Sequence, residues 1–249
     1  MKIALMCPSR QRLNNIITLI SSIMSTAHDI KNINLVLAVD DDDPKFEIYK
    51  KIATNVNFIQ FIKTPASIFK QKKLSGMWNY MYSQVTDDIV AMIGDDMIFE
   101  TPDWDLKIIN TFKNNSYKDN IIMVHCNDGM RGAGNTINPN VEPLAVNSFI
   151  HRDYTNLIGR YVQDIEPNIF QDTYIHTVFS AINRRIYYHD IMIRHLHFSV
   201  KGKMDKVSEQ LELDRSGIWD NSSIWKNIIV PEINKEVKIL TEYINSKKI

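Results

Sequence analysis

The chain has only two cysteines, Cys7 and Cys126, and neither sits in a Cys-x-x-Cys pair. A disulfide framework is therefore excluded, and both read as small buried residues of a reducing compartment. Charge of one sign is missing too: 29 Lys and Arg balance 29 Asp and Glu. No overall basic field exists to hold a nucleic acid non-specifically. Long apolar runs are also absent. Ile3 to Cys7 is short and is followed by Arg10 and Arg12, which argues against a signal peptide. Ile16 to Met24 is interrupted by Thr18, Ser21 and Ser22 and is too short and too polar to span a bilayer. A soluble, cytoplasmic product is expected. Glycine is scarce, with none before Gly76. What remains is ordinary globular composition, 44% hydrophobic and 23% charged over 249 residues. That is enough for one sizeable domain, or one with an appendage.

Hydrophobic periodicity predicts alternating strands and helices. Ile3 to Met6, Leu35 to Val39, Asn57 to Ile62, Ile89 to Ile93 and Ile121 to Val124 read as strands without polar alternation. Between them lie helices carrying Ile16 to Ile23 (with Asn14 as cap), Phe46 to Ile52, Leu74 to Val85 and Asp105 to Lys113. Continuous apolar strands separated by helices predict an α/β fold, a mainly parallel sheet covered on both faces. The second half is less regular. Gly129 to Asn140 reads as a mobile loop, Phe170 to Ile182 as a helix, Ile191 to Ile193 as a late strand, and Pro231 onward as an amphipathic helix. The simplest division is a domain over 1–200 and a helical extension over 201–249 packed on it.

Polar residues cluster where the strands end. Pro8-Ser9-Arg10, the run Asp40-Asp41-Asp42-Asp43 and Gly94-Asp95-Asp96 each follow a strand, and ligands of such sheets bind beyond the carboxyl ends. Asp95 and Asp96 stand between the apolar segments Ile89–Ile93 and Met97–Phe99. Paired carboxylates there are costly without a cation. A divalent metal carrying a nucleotide-sugar diphosphate meets that need; a solvent-exposed Asp turn is the plainer alternative.

Taken in order, these segments resemble the family-2-like inverting glycosyltransferases of GT-A fold, over residues 1 to about 200. Pro8-Ser9 with Arg12 is similar to that family's Pro-Thr/Ser-x-x-Arg opening, and Val39-Asp40-Asp41 to its second-strand Asp-Asp. Leu74-Ser75-Gly76-Met77-Trp78-Asn79 is similar to its Leu-Ser-x-x-Trp-Asn segment. Gly94-Asp95-Asp96 occupies the place of Asp-x-Asp, and Gln171-Asp172 that of Glu-Asp. One departure is that Gly94 stands where the first Asp belongs. Short bacteriophage transferases look similar in having Gly-Asp-Asp followed by Trp-Asp, here Trp104-Asp105.

The resemblance implies transfer of a sugar, by default from a UDP-sugar, to an acceptor hydroxyl with inversion. It also implies Asp172 as the base that takes the hydroxyl proton; the plainer account of Asp172 is a helix N-terminal acid. Mn²⁺ or Mg²⁺ would sit on Asp96 and Asp95, with His197, or else His195, completing the shell. Asp40, then Asp41, would meet the base and ribose, with Pro8, Ser9 and Asn79 also on the donor. Arg10 or Arg12 would reach phosphate, although a surface Arg at a helix start explains either. Asp42 and Asp43 read as a solvated turn. Trp104 and Asp105 could floor the acceptor site or simply be a core Trp beside a helix cap. His125 and Asp128 follow a strand toward the same edge, and Arg131 could close over phosphate.

Rival readings are a nucleotidyltransferase, which usually carries an N-terminal glycine-rich loop that this chain lacks, and a non-catalytic sugar-nucleotide or glycan-binding module. The acceptor is open among a glycan, a protein and a modified DNA base.

Overall fold

The computed structural model describes residues 1–65, 73–117, 119–129, 143–163, 170–197, 209 and 221–247. Its centre is one eight-stranded sheet in the order β3-β2-β1-β4-β7-β6-β8-β5. The strands are β1 (Ile3–Ser9), β2 (Ile33–Asp40), β3 (Ile59–Thr64), β4 (Ile89–Met92), β5 (Met97–Phe99), β6 (Met123–Asn127), β7 (Phe149–His151) and β8 (Arg185–His195). The helices are α1 (Leu13–Thr26), α2 (Phe46–Asn55), α3 (Lys73–Ser83), α4 (Trp104–Asn114), α5 (Arg152–Ile158), α6 (Gln171–Ala181) and α7 (Val230–Ser246). A short helix (Asn221–Ile224) and a π-helical stretch (Trp225–Ile229) run directly into α7, so Pro231 follows the π-helical stretch inside one continuous helical run.

The sheet is more mixed than the sequence suggests. β3-β2-β1-β4 are parallel neighbours. β7 then runs antiparallel to both β4 and β6, β6 pairs parallel with β8, and β5 is antiparallel to β8. The predicted strand at 121–124 begins two residues later, because Ile121 and Ile122 precede the ladder, and the short late strand is an eleven-residue β8. Asn14 does not cap α1; the helix begins at Leu13 after Arg12, with no side-chain cap.

Both faces of β1, β2 and β4 are buried, which is why these strands carry no polar alternation. Ile3, Leu5 and Cys7 face one way, with Leu35, Leu37 and Val39, onto α1, α2 and α4 through Ile16, Leu19, Tyr49, Trp104 and Ile108. Ala4 and Met6 face the other way, with Val36 and Ala38. That second layer contains Trp78 and Met81 of α3, Tyr174, Ile175 and Val178 of α6, and Ile233, Leu240 and Ile244 of α7. Fully burying one such Ile or Leu contributes about 1.5–3 kcal/mol.

One carboxylate is buried inside the second layer. Glu236 of α7 is 2% exposed. It accepts the Tyr154 hydroxyl of α5 at 2.8 Å and the Arg160 guanidinium at 2.7 Å. Among the described residues no helix is long and apolar enough to cross a membrane.

Candidate active site

The chain leaves β1 for β2 and β3 on one side and returns to β4 on the other side of β1. The carboxyl ends of β1 and β4 thus form the switch-point crevice of the sheet, where ligands of open α/β folds bind. Two of the polar clusters meet there. Ser9 at the tip of β1 donates its hydroxyl to Asp95 Oδ2 at 2.8 Å, and Arg12 Nη1 donates to Asp95 Oδ1 at 3.1 Å. Gln11, between the two arginines, takes a left-handed backbone (φ 57°), and Asp43 accepts its N–H. Tyr49 of α2 accepts the N–H of Arg12 at 2.9 Å.

Asp95 is nearly buried, at 5% exposure. Burial pushes its pKa up to about 6, against the pull of Arg12 and of the Ser9 hydroxyl. Asp96 behaves differently. Burial raises its pKa, but the hydrogen bond and charge of His195, with help from Arg12, outweigh burial and hold the carboxyl below its ordinary value. The His195 Nε2 lies 3.3 Å from Asp96 Oδ1. Main-chain bonds fix this pair: Leu196 N–H donates to the Asp96 carbonyl and His195 N–H to the Asp128 carbonyl, both at 2.8 Å. Gly94 allows it. A Cβ there would stand 2.5 Å from Asp96 Oδ1, so the carboxylate occupies the space a side chain would need.

The third cluster adjoins at the tips of β2 and β3. Asp40 accepts the Thr64 hydroxyl at 2.9 Å on one oxygen and Arg10 Nη1 at 2.8 Å on the other. The same Nη1 also bonds Asp42. Asp43 is not part of a solvated turn: it is 5% exposed, and its carboxylate accepts the N–H of Gln11 at 2.6 Å and of Lys45 at 2.8 Å. Asp41 lies further out, 3.9 Å from Lys63.

The remaining sequence candidates divide. Asp128 is buried beside His195 through its carbonyl. His197 stacks edge-on against His195, ring centres 5.3 Å apart. The imidazole on Asp96 is thus that of His195, the second-ranked of the two in sequence. His125 is fully buried, stacked at 4.8 Å on Tyr187. Trp104 cannot floor a site: it is fully buried between Phe99 and Phe149. Asp105 is buried as well, accepting the N–H groups of His28 and Asp29 at the end of α1. Asn79 uses its amide to tie the main chain of Tyr161 and Val162 to α3, accepting both N–H groups at 3.0 Å and donating to the Val162 carbonyl at 2.9 Å. Pro8 pairs within β1, opposite Ala38. Arg131 and most of the expected mobile loop lie outside the described residues.

Asp172 stands in the first turn of α6, its carboxylate accepting the N–H of Thr173 at 2.7 Å. Among the described residues nothing links it directly to Asp95 or Asp96. Its edge of the sheet nevertheless follows from topology. The turn after α6 is at the amino edge, because the Arg184 carbonyl accepts the N–H of Met123, the first residue of β6. Eleven helical residues, roughly 16 Å, carry the first turn of α6 back toward the carboxyl edge. His176, one turn on and on the same helix face, accepts the Ala145 N–H at 3.3 Å.

Residues that sequence reasoning missed are Thr64 and Tyr49. Thr64 obeyed the rule that found the others, a polar residue at a strand's carboxyl end. Tyr49 gave no such signal, because its ring is core and only its hydroxyl reaches the site.

Cys7 is buried beneath this cluster. Burial, with Asp95 and Asp96 adding, raises its thiol well above the ordinary value, so it is no nucleophile. Among the described residues no group of three or more His, Cys, Asp or Glu is set for a metal. The Asp96 carboxylate with the His195 imidazole still fits a divalent cation that takes its other ligands from phosphate and water.

The sheet and its helices have the GT-A fold of the glycosyltransferases. No family profile matches the sequence, and no curated protein does. Solved structures do match in fold. Among them is S. aureus TarS (residues 1–349, in complex with UDP), at TM-score 0.59 and 12% identity, covering 99% of this chain and 83% of that one. Glucosyl-3-phosphoglycerate synthase from Mycobacterium tuberculosis, in complex with Mn²⁺, UDP and phosphoglyceric acid, gives 0.56 and 14%, over 88% and 80%. A mannosyltransferase from Pyrobaculum calidifontis, in complex with GDP-Man and Mn²⁺, gives 0.58 and 10%, covering 78% of this chain. This chain spans 56% of the length of that protein.

Proposed function

We propose that the protein is a metal-dependent, inverting glycosyltransferase that moves a sugar from a nucleoside diphosphate sugar to an acceptor hydroxyl. The observation that carries this reading is the meeting, at one switch-point crevice, of Ser9, Arg12 and Asp95 with Asp96 and His195. A leaving pyrophosphate needs its charge met. Asp96 and His195 would hold the divalent cation, Mn²⁺ or Mg²⁺, which supplies that neutralisation. Arg12 sits beside it as a fixed positive charge, and Asp95, pinned by Ser9 and Arg12, keeps the strand tip rigid. Asp40, with Arg10 and Thr64, takes the nucleoside end.

Asp172 is the proposed base. Its place at the start of a helix that begins on the carboxyl edge supports this, and a carboxylate taking the acceptor proton there implies attack opposite the departing phosphate. His197 and Asp128 border the metal end.

The test is a screen of sugar nucleotides with Mn²⁺, read by mass spectrometry as released nucleoside diphosphate. Release with at least one UDP- or GDP-sugar, rising when an acceptor is added, is expected. Donor binding without release in any acceptor mixture would leave a binding module in its place. Release of pyrophosphate from nucleoside triphosphates instead would point to nucleotidyl transfer.

A further inference from the structure

Two arginines serve the edge, and they are held differently. Arg12 bonds Asp95, at the pyrophosphate end. Arg10 bonds Asp40 and Asp42, at the tips of β2 and β3, so its charge is matched on the spot by two carboxylates. Both bonds use Nη1. The three N–H groups on Nε and Nη2 have no protein partner among the described residues, and the side chain is 32% exposed. Arg10 is therefore a planar fork, oriented from behind and presenting donors outward.

Asp40 beside it is an acceptor fixed by Thr64, itself fully buried. Each Asp40 oxygen accepts one bond and has a second lone pair to offer. A fixed donor fork next to a fixed acceptor is complementary to a planar edge with a carbonyl beside a ring N–H. Uracil and guanine have that lactam edge. Cytosine and adenine present an exocyclic amine beside an unprotonated ring nitrogen, which would set donor against donor at Arg10 and acceptor against acceptor at Asp40.

We propose that Arg10 selects the nucleobase of the donor: with Asp40 and Thr64 it reads a lactam edge, and it does not serve the phosphates. The inference rests on the nucleotide-sugar reading above and adds to it the class of base and the residue that chooses it.

Calorimetric titration with inorganic pyrophosphate, UDP, CDP, GDP and ADP, each with Mn²⁺, tests it, since UDP and CDP are equal in size and GDP and ADP share one purine frame, differing at the lactam edge and in the 2-amino group. The wild type is expected to favour UDP over CDP, or GDP over ADP, by about tenfold or more, and which pair does so tells uracil from guanine. Arg10→Lys keeps a positive charge between Asp40 and Asp42 but loses the fork. It should bring the preference within about twofold and leave pyrophosphate affinity unchanged. Thr64→Val, which frees Asp40 without altering side-chain volume, should reduce the preference in the same direction; thermal unfolding checks that both variants fold.

A preference that survives both substitutions overturns the proposal. So does a loss in Arg10→Lys that is equal for pyrophosphate and every nucleotide, which would make Arg10 a phosphate contact. Equal binding of lactam and non-lactam partners by the wild type sinks it while leaving sugar transfer standing. Failure of every nucleoside diphosphate to bind would remove the wider reading as well.

Discussion

The two halves of the sheet carry polar residues in opposite ways. In the parallel half the central strands β1 and β4 are apolar on both faces, only the edge strand β3 (Gln60, Lys63) and the start of β2 (Asn34) carry polar side chains inside, and the chemistry sits at the strand ends, at Ser9, Asp40, Thr64 and Asp95. In the other half, imidazoles and guanidiniums lie along the strands themselves: His125 in β6, His151 in β7, Arg185 and His195 in β8. Strand direction explains part of the difference. Parallel strands all point their carboxyl ends at one edge, so anything placed after them is gathered there. Antiparallel β7 and β5 point their carboxyl ends at the opposite edge, so only selected positions reach the site. His195 does so because it pairs with Met97, the first residue of β5, next to Asp96.

If this division is right, removing the parallel half's metal carboxylate should have the largest effect. Asp96→Asn should lower Mn²⁺-dependent release of nucleoside diphosphate by about 10³-fold or more, with the fold intact by circular dichroism. Asp172→Asn comes next, with turnover down by about 10²-fold or more and donor affinity unchanged in titration. An equal loss of donor affinity would move Asp172 out of the acceptor side.

The carboxylate buried in the second helix layer is a matter of stability. Glu236→Ala leaves the buried Tyr154 hydroxyl without its acceptor and Arg160 with Glu232 alone among the described carboxylates, and should cost about 1–3 kcal/mol in denaturant unfolding. His195→Gln should weaken Mn²⁺ about tenfold by calorimetry, and His197→Gln by less; the reverse order would reassign the imidazole.

The smallest effect expected is a pH dependence at His151. Its Nδ1 accepts the Asp153 N–H at the start of α5, which requires the neutral ring. Burial lowers its pKa below 6.5, against the pull of Asp153 and Asp88. The folded chain thus binds fewer protons than the unfolded chain in that window. Its stabilising contribution is complete above 6.5 and is lost as pH falls through the lowered value. The melting temperature should fall on acidification below that point, and by less in His151→Asn, whose amide caps without titrating.

The same contrast governs how much could be read from residues alone. In the parallel half each polar cluster follows an apolar run, so the clusters at Ser9, Asp40 and Asp95 and their common edge were legible. Their partners were not: nothing in Arg10 or Arg12 says which carboxylate each takes, since that depends on the turn at Gln11 and the depth of Asp43. Away from those strand ends the pattern misled. Trp104-Asp105 looks like a site motif, yet Trp104 fills the core and Asp105 ties down the end of α1, because both stand on the face of α4 that packs inward. His195 and His197 are two residues apart on an extended segment, and periodicity cannot tell which one meets Asp96; only the pairing of β8 with β5 decides it.

The placement of Ile233, Leu240 and Ile244 in one layer with Val178 and Phe179 has a consequence for biosynthesis. As the nascent polypeptide leaves the ribosome, β1 to β3 can associate early. The underside of α6 must wait, uncovered, until some sixty more residues have been translated. At about 5–20 residues per second that interval lasts seconds, long enough for a chaperone to engage the waiting surface.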